Sequence, residues 1–299
     1  MSNLTRSLML GGGGSSSGST YLGPMTWAEL QASAYANGSP LLAAMSADAQ
    51  VLITGWANPT VMMPSADRTY WQPQNGLLTL AKAGLSTLNS ITGCAAAITW
   101  TLAADPANGK TRITSSAAHG ITSAVNGKCI SITAWSGTGA AGLYEITYVD
   151  TTNIDLTIVY NAGYGNPTVS PVNTETTLVT VAVPAKLMQA NSQIRLSTVW
   201  RLTSSANNHY LIVRMGANGY LFITPSNVTG FHDIGRVISN VNSKSLQFGP
   251  KSDLAPSGGG NLSTSTINTD LTFDLAFRAR TDVVAEFAEL LHYTVEICV

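Results

Sequence analysis

The sequence has 299 residues, of which 44% are hydrophobic and only 10% are charged, with a formal net charge of -1. Its length predicts two or three domains. The near-neutral charge excludes the basic surface of a typical nucleic-acid-binding protein, so no nucleic-acid partner is expected. Ordinary globular proteins carry about 25% charged residues, and so sparse a charge predicts that much of the surface is covered in an oligomer or larger assembly.

The cysteines and the apolar runs exclude several further classes. Cys94, Cys129 and Cys298 are widely spaced and form no CxxC pair, which argues against a disulfide framework or a zinc site and favours buried free thiols. No run of about 18 apolar residues is present, so no insertion into a membrane is expected. The first apolar stretch is too short for a secretory signal. We expect no metal and no cofactor.

Residues 1–20 are predicted to form an extended anchoring arm. A Gly/Ser run over residues 11–17 is typical of a flexible coil rather than of a helix or strand. The apolar side chains before this run are expected to dock on a neighbouring subunit or on a larger particle; they are Leu4, Leu8, Met9 and Leu10. The alternative is an arm that folds back on its own domain.

Residues 21–83 are predicted to form a small α+β module. Thr26 and Glu29 have the spacing of a capping box and predict a helix start, and a second short helix is expected within residues 40–49. Strands are predicted at 50–54, at 68–72 and, after a hairpin turn at 73–76, at 77–80. The segment resembles a small module of bacteriophage tail-fibre and other virion proteins in Trp27, Ala28, Leu30, Trp71, Pro73, Asn75 and Gly76. Both tryptophans are expected in the core.

Residues 84–170 are predicted to form a small β module, a barrel or sandwich, since short strands alternate with turns. The predicted strands cover residues 98–102, 111–114, 128–133, 142–149 and 154–160, and prolines 167 and 171 are interpreted as a linker. The order resembles a β module of phage structural proteins in His119, Gly120, Gly142, Tyr144, Ile146, Asp150 and Asn153. Lys128 departs from that pattern, in which an Asp is usual. His119 is expected to make local turn contacts.

Residues 171–299 are predicted to form a jelly-roll-like antiparallel β-sandwich of about eight strands. The clearest strand is residues 271–279, in which Leu271, Phe273, Leu275, Phe277 and Ala279 share one face. The stretches from Asn191 to Leu196, from Trp200 to Gly216 and from Tyr293 to Glu296 resemble a C-terminal domain of phage virion proteins. That resemblance implies a homotrimer. The fold class predicted for the whole chain is mainly β.

No catalytic residues are predicted, and no enzyme activity is expected. Asp282, Glu286 and Glu289 lie between two predicted strands, where charge is typical of a solvated loop. His209 and His232-Asp233 lack both a nucleophile elbow and metal-ligand spacing, so they are interpreted as surface histidines with satisfied polar atoms.

Three aromatic side chains beside glycines are candidates for binding. Trp135 precedes a Ser-Gly-Thr-Gly loop, and Tyr160 and Tyr164 lie on either side of Gly163. Such rings can stack on sugar faces or pack between subunits, and the sequence favours the interface.

The resemblances imply a non-enzymatic component of a bacteriophage virion. The leading hypothesis is a homotrimeric tail fibre that contacts other virion proteins through its N-terminal arm and presents the C-terminal sandwich to a host receptor or surface polysaccharide. One alternative is a capsid decoration protein or head fibre. A second is a carbohydrate-binding module outside any virus.

Overall fold

The computed structural model describes residues 21–299, apart from residues 85, 87, 105–107, 217, 225–229 and 251–261. The predicted anchoring arm, residues 1–20, lies outside the described residues. The chain divides into two compact units: one contains the described residues up to Leu80 together with Glu296–Val299, and the other contains Ala81–Val295. Strands predominate over two short helices, which confirms the mainly β prediction. The finer division at residues 83 and 170 stays a prediction.

The first unit combines a four-stranded sheet with two short helices, α1 (Trp27–Ala32) and α2 (Pro40–Ala43). The capping box that begins α1 is as predicted: Glu29 N–H donates to Thr26 Oγ1 at 3.2 Å, and Thr26 N–H donates to Glu29 Oε2 at 2.6 Å. The sheet has the order β1-β2-β3-β4, with strands β1 (Tyr21–Thr26), β2 (Gln50–Thr54), β3 (Thr60–Pro64) and β4 (Trp71–Pro73). β5 (Leu77–Ala83) follows.

The prediction that the turn at residues 73–76 connects two paired strands is wrong. Gly76 does close a turn onto Pro73, but Trp71–Pro73 pairs with Thr60–Pro64 instead of with β5. The reason is a tight turn at Asp67. The Asp67 carboxylate accepts a hydrogen bond from Thr69 N–H, and Arg68 within the turn has a φ of 57°. That turn sends the chain back along β3, so the strand begins only at Trp71. Trp27 and Trp71 are both buried, as predicted.

The second unit contains a six-stranded antiparallel sheet that nearly closes on itself, in the order β12-β9-β10-β11-β8-β7. Its core is made of residues that alternate along these strands, among them Ile113, Ile130, Ile132, Ile146 and Leu156. The strands are β7 (Trp100–Ala104), β8 (Lys110–Ser115), β9 (Cys129–Trp135), β10 (Gly142–Tyr148), β11 (Asn153–Val159) and β12 (Pro167–Val169). Before them lies β6 (Ser90–Thr92).

The interpretation of Pro167 as part of a linker is wrong, because Pro167–Val169 is a strand that pairs with β9 at Trp135. A proline can occupy this position because β12 is an edge strand and a missing N–H costs it no ladder bond toward solvent.

The rest of the second unit is the predicted β-sandwich. One sheet has the order β13-β20-β15-β16, and the other includes β19-β18-β17-β14-β21 in that order, with β6 pairing with β21. The strands are β13 (Thr176–Val183), β14 (Gln193–Leu202), β15 (His209–Met215), β16 (Asn218–Thr224), β17 (Phe231–Asn240), β18 (Gln247–Pro250), β19 (Leu262–Ser265), β20 (Phe273–Thr281) and β21 (Phe287–Cys298).

The period-two stretch 271–279 gives β20, which lies between β13 and β15. Phe273, Leu275, Phe277 and Ala279 are buried, as the alternation predicts. Leu271 is 63% exposed, against prediction, because a turn from Asn268 to Leu271 precedes the strand. Phe277 packs on Tyr293 of β21 with ring centroids 5.1 Å apart, so the two sheets meet at this point.

Candidate functional site

Two of the three predicted aromatic candidates, Trp135 and Tyr164, lie around one loop of the six-stranded sheet. Trp135 ends β9 and is buried, because the following glycine loop folds over its indole ring. At Gly139 the backbone lies so close to the ring that an added Cβ would sit 2.4 Å from Trp135 Cγ. Trp135 Nε1 donates to Ala140 O at 3.0 Å. The indole is therefore the packing surface on which the loop is built.

The predicted tyrosines are half-buried and differ in their contacts. Tyr164 packs against Trp135 with centroids 5.4 Å apart, and its carbonyl accepts from Gly137 N–H at 2.9 Å. Tyr160 follows β11, and its N–H donates to Gly109 O at 2.9 Å. The structure thus brings Trp135 and Tyr164 together. Tyr144, which is not among the predicted candidates, packs edge-on against Trp135 with ring centroids 5.9 Å apart. The ligand or interface role of these rings stays a prediction.

His119 makes the local contact predicted for it and is fully buried. Its Nδ1 accepts from Ile121 N–H at 3.0 Å, and its ring stacks on Trp100 with centroids 5.7 Å apart. Burial lowers the pKa of His119, although the carbonyls of Asp150 and Asn153 and the Asp150 carboxylate act in the opposite direction. The neutral imidazole is therefore the favoured form in the fold.

The expectation of a solvated loop at residues 282–289 is wrong for two of its three carboxylates. Glu286 and Glu289 are buried, whereas Asp282 pairs with Arg280. The prediction of a surface histidine at 209 is also wrong, because His209 is buried with its Nε2 3.3 Å from Glu286 Oε2. Asn207 Nδ2 donates to the other Glu286 oxygen at 2.7 Å. The side chain of His232 lies outside the described residues.

Glu289 binds cations from two parts of the second unit. Lys128, just before β9, places its Nζ 3.0 Å from Glu289 Oε2, and Arg201 Nε of β14 donates to the same oxygen at 2.6 Å. Lys128 is the residue that departs from the virion-module pattern, and its ammonium also lies over the ring of Phe287 at 4.7 Å. Thr92 Oγ1 donates to Glu286 O at 2.7 Å nearby. Lys128 therefore joins the six-stranded sheet to the sandwich through its ion pair with the buried Glu289 carboxylate.

A groove lined by both polar and apolar residues runs along this boundary at another position. We call it the junction groove; it has a volume of about 440 Å³ and is lined by residues of β9, β10, β13 and β20 and of the segment between β12 and β13. Its lining includes Thr133, Gly142, Ser170, Glu175, Thr177 and Arg278. An adjoining depression of about 480 Å³ shares Thr177 and Arg278 with it and adds, among others, Thr180, Arg214, Thr272 and Asp274.

Ion pairs join the charged side chains of the junction groove to Arg214 of the adjoining depression. Glu175 binds Arg214 through both oxygens, with Nε and Nη2 each at 2.5 Å. Arg278 donates from Nη1 to Glu175 Oε1 at 2.5 Å and from Nε to Thr177 Oγ1 at 2.7 Å. The hydrogen bond from Arg214 lowers the pKa of Glu175, so the group is a carboxylate at neutral pH. Sequence patterns could not reveal this cluster, since Glu175 is 39 residues from Arg214 and 103 residues from Arg278.

The described residues contain no group of three or more His, Cys, Asp or Glu side chains that could hold a metal ion. None of the helices described is both long and apolar enough to cross a membrane.

No protein-family model matches the chain, and no curated protein matches it. Among solved structures, the CBM2 module of Lactobacillus casei BL23 phage J-1 evolved Dit aligns with 68% of this chain and 98% of its own, at 11% identity and a TM-score of 0.25. Lectin II from Ulex europaeus aligns with 74% of this chain and 100% of its own, at 6% identity and a TM-score of 0.24. With TM-scores this low, these similarities do not identify a function.

Proposed function

We propose that this chain is a non-catalytic structural component of a bacteriophage virion and works as a homotrimeric tail fibre. Residues 1–20 attach it to other virion proteins through Leu4, Leu8, Met9 and Leu10. The C-terminal sandwich is presented to the host surface. The resemblances of the three predicted modules to virion domains motivate this proposal, and the small number of charged residues fits a surface that is partly covered by neighbouring subunits.

The observation that carries the proposal is an ion-pair connection between the six-stranded sheet and the sandwich. The buried Glu289 carboxylate pairs with Lys128, which lies just before β9, and with Arg201 of β14. A fibre must hold a binding surface at a fixed distance from its attachment point, and β modules joined by buried ion pairs fulfil that requirement better than modules on a flexible linker. Symmetric burial of apolar surface between three copies supplies the remaining rigidity.

The first test is the mass of the full-length chain in sedimentation equilibrium. We expect three times the chain mass of 31.3 kDa, and a monomer at micromolar concentration contradicts the proposal. A Leu8→Asp variant is expected to remain trimeric and to be missing from assembled particles, because a charge at the anchoring arm opposes burial. A Lys82→Asp variant, changed at an exposed position, is the control and is expected to assemble normally.

Counting copies in purified particles separates a fibre from the alternative of a capsid decoration protein or head fibre. Quantitative mass spectrometry against the major capsid protein gives the number directly. A few tens of copies or fewer agree with a tail fibre, whereas hundreds of copies replace it with capsid decoration.

A further inference from the structure

The junction groove combines a buried hydroxyl that lacks a partner with preorganised charged groups. Ser170 lines the groove, is 6% exposed, and its Oγ has no hydrogen-bond partner within the part of the chain that the structure describes. A buried hydroxyl without a partner costs free energy that a bound donor or acceptor can restore. Glu175, Thr177 and Arg278 line the same groove as Ser170.

The donors and acceptors of the groove match the hydroxyls of a sugar. Arg278 uses Nε and Nη1 for Thr177 and Glu175, and a guanidinium has five N–H donors, so it retains donors for a ligand. Glu175 and Asp274 provide carboxylate oxygens that accept from hydroxyls. A sugar hydroxyl donates and accepts at once, which suits a surface that mixes fixed donors with fixed acceptors.

The balance of charge along the groove and the depression favours an uncharged ligand. Two guanidinium groups, Arg214 and Arg278, lie close to two carboxylates, Glu175 and Asp274. The charges cancel, so a polyanion gains little attraction and would have to displace the Glu175 ion pairs. The groove and the depression share lining residues, and each volume is within the range of about 300–1,000 Å³ for small-molecule sites.

We propose that the junction groove and the adjoining depression bind an uncharged oligosaccharide, with Arg278, Glu175 and Ser170 as its principal contacts. This proposal rests on the proposed function, because it specifies a host surface glycan as the ligand of the fibre. Phe273 is an aromatic residue in the lining of the depression, but it is buried. It therefore gives a sugar ring no exposed aromatic face on which to stack. Single sites are therefore expected to be weak and to depend on trimeric avidity.

Gly142 allows the groove to be blocked without disturbing its ion pairs. It lines the groove, and a Cβ added there meets nothing closer than Tyr144 Cε2 at 4.0 Å, with no left-handed φ. Gly235 on β17 is the matched control, since a Cβ added there meets nothing within 4 Å and it lies outside both lining sets. Gly142→Tyr and Gly235→Tyr therefore place the same side chain inside and outside the proposed site.

The experiment applies the full-length wild type and both variants to an array of purified bacterial polysaccharides, some uncharged and some containing uronate or phosphate. We expect the wild type to bind uncharged polysaccharides, with at least tenfold weaker binding by Gly142→Tyr and unchanged binding by Gly235→Tyr. Arg278→Lys, which keeps the charge but loses the planar fork, is also expected to weaken binding. Melting temperatures and masses are measured on the same samples.

Several outcomes overturn this site. They are no binding to any polysaccharide, binding only to charged polymers, equal loss in both tyrosine variants, or a Gly142→Tyr variant that binds normally. Loss of trimer mass in Gly142→Tyr would instead make the groove a subunit interface and also overturns the site. The fibre proposal fails separately, by a monomeric wild type or by copy number, so the two failures are distinguishable.

Discussion

Lys128 and Glu289 form a buried ion pair between the six-stranded sheet and the sandwich, with Lys128 Nζ 3.0 Å from Glu289 Oε2. Glu289 also binds Arg201, so one carboxylate pairs with two cations that approach from different elements. Hydrogen bonds to charged groups contribute more to stability than neutral ones, and removal of one partner from a buried pair is costly.

Removal of the Lys128 ammonium is expected to loosen this junction. We predict that Lys128→Met lowers the free energy of unfolding by about 1–3 kcal/mol, and that Glu289→Gln lowers it by more, since it leaves two cations without their carboxylate. Urea denaturation followed by tryptophan fluorescence measures both values. Lys82→Met, at an exposed position, is the control and should change stability by less than about 0.5 kcal/mol. Equal values for Lys128→Met and the control contradict the prediction.

The glycine loop over Trp135 is expected to tolerate no side chain at Gly137. A Cβ there would sit 2.1 Å from Gly163 O, a backbone atom that cannot rotate away. We predict that Gly137→Ala costs about 1–3 kcal/mol. Gly142→Ala has free space and should be neutral or stabilising by up to about 1 kcal/mol. Thermal unfolding of the two variants decides the matter, and similar melting temperatures for both would be the contrary result.

The three thiols are expected to differ in reactivity. Burial raises the pKa of Cys94 and of Cys129 to about 11, so both are neutral and shielded at pH 8, whereas Cys298 is half-buried. We predict that Ellman's reagent detects one thiol in the native protein and three after denaturation. The Cys298→Ser variant should show none in the native state. Rapid reaction of a second thiol in the native wild type would argue against the burial of Cys94 and Cys129.

His119 is expected to make the stability of the second unit depend on pH. Because burial lowers its pKa in the folded protein, its contribution is fully present above the unfolded value of about 6.5 and is lost as pH falls through the lower folded value. We predict that the free energy of unfolding falls between pH 7 and pH 5 by less in His119→Asn than in the wild type. Asn is chosen because its Oδ1 can accept the Ile121 N–H bond that His119 Nδ1 accepts.

The comparison of the two variants isolates His119 from the other titrating groups. The other three histidines, His209, His232 and His292, are present in both proteins, so their effects cancel in the difference between the two pH profiles. Parallel profiles for the wild type and His119→Asn would show that His119 contributes nothing to the acid sensitivity.

Much of the architecture was predictable from alternation and turn residues. The capping box at Thr26 and Glu29, the buried face of β20 and five strands of the six-stranded sheet, all but β12, follow from patterns within a few adjacent residues. The glycine loop beside Trp135 was recognisable as a feature, although its role as a cover for the indole was not. That role depends on Gly139 and Tyr164, which approach the ring only after the chain has folded.

The sequence alone therefore established the mainly β class and most strand positions, because period-two alternation and capping are local properties of the chain. Tertiary structure decided which strands pair, as at Trp71, and whether a carboxylate such as Glu289 is solvated or buried. It also decided the candidate site, since Arg278 reaches Ser170 and Glu175 only through the long-range pairing of β13 with β20. The physical reason is that burial and electrostatic partners depend on which distant segments come together. A pattern of neighbouring residues does not determine which distant segments pair.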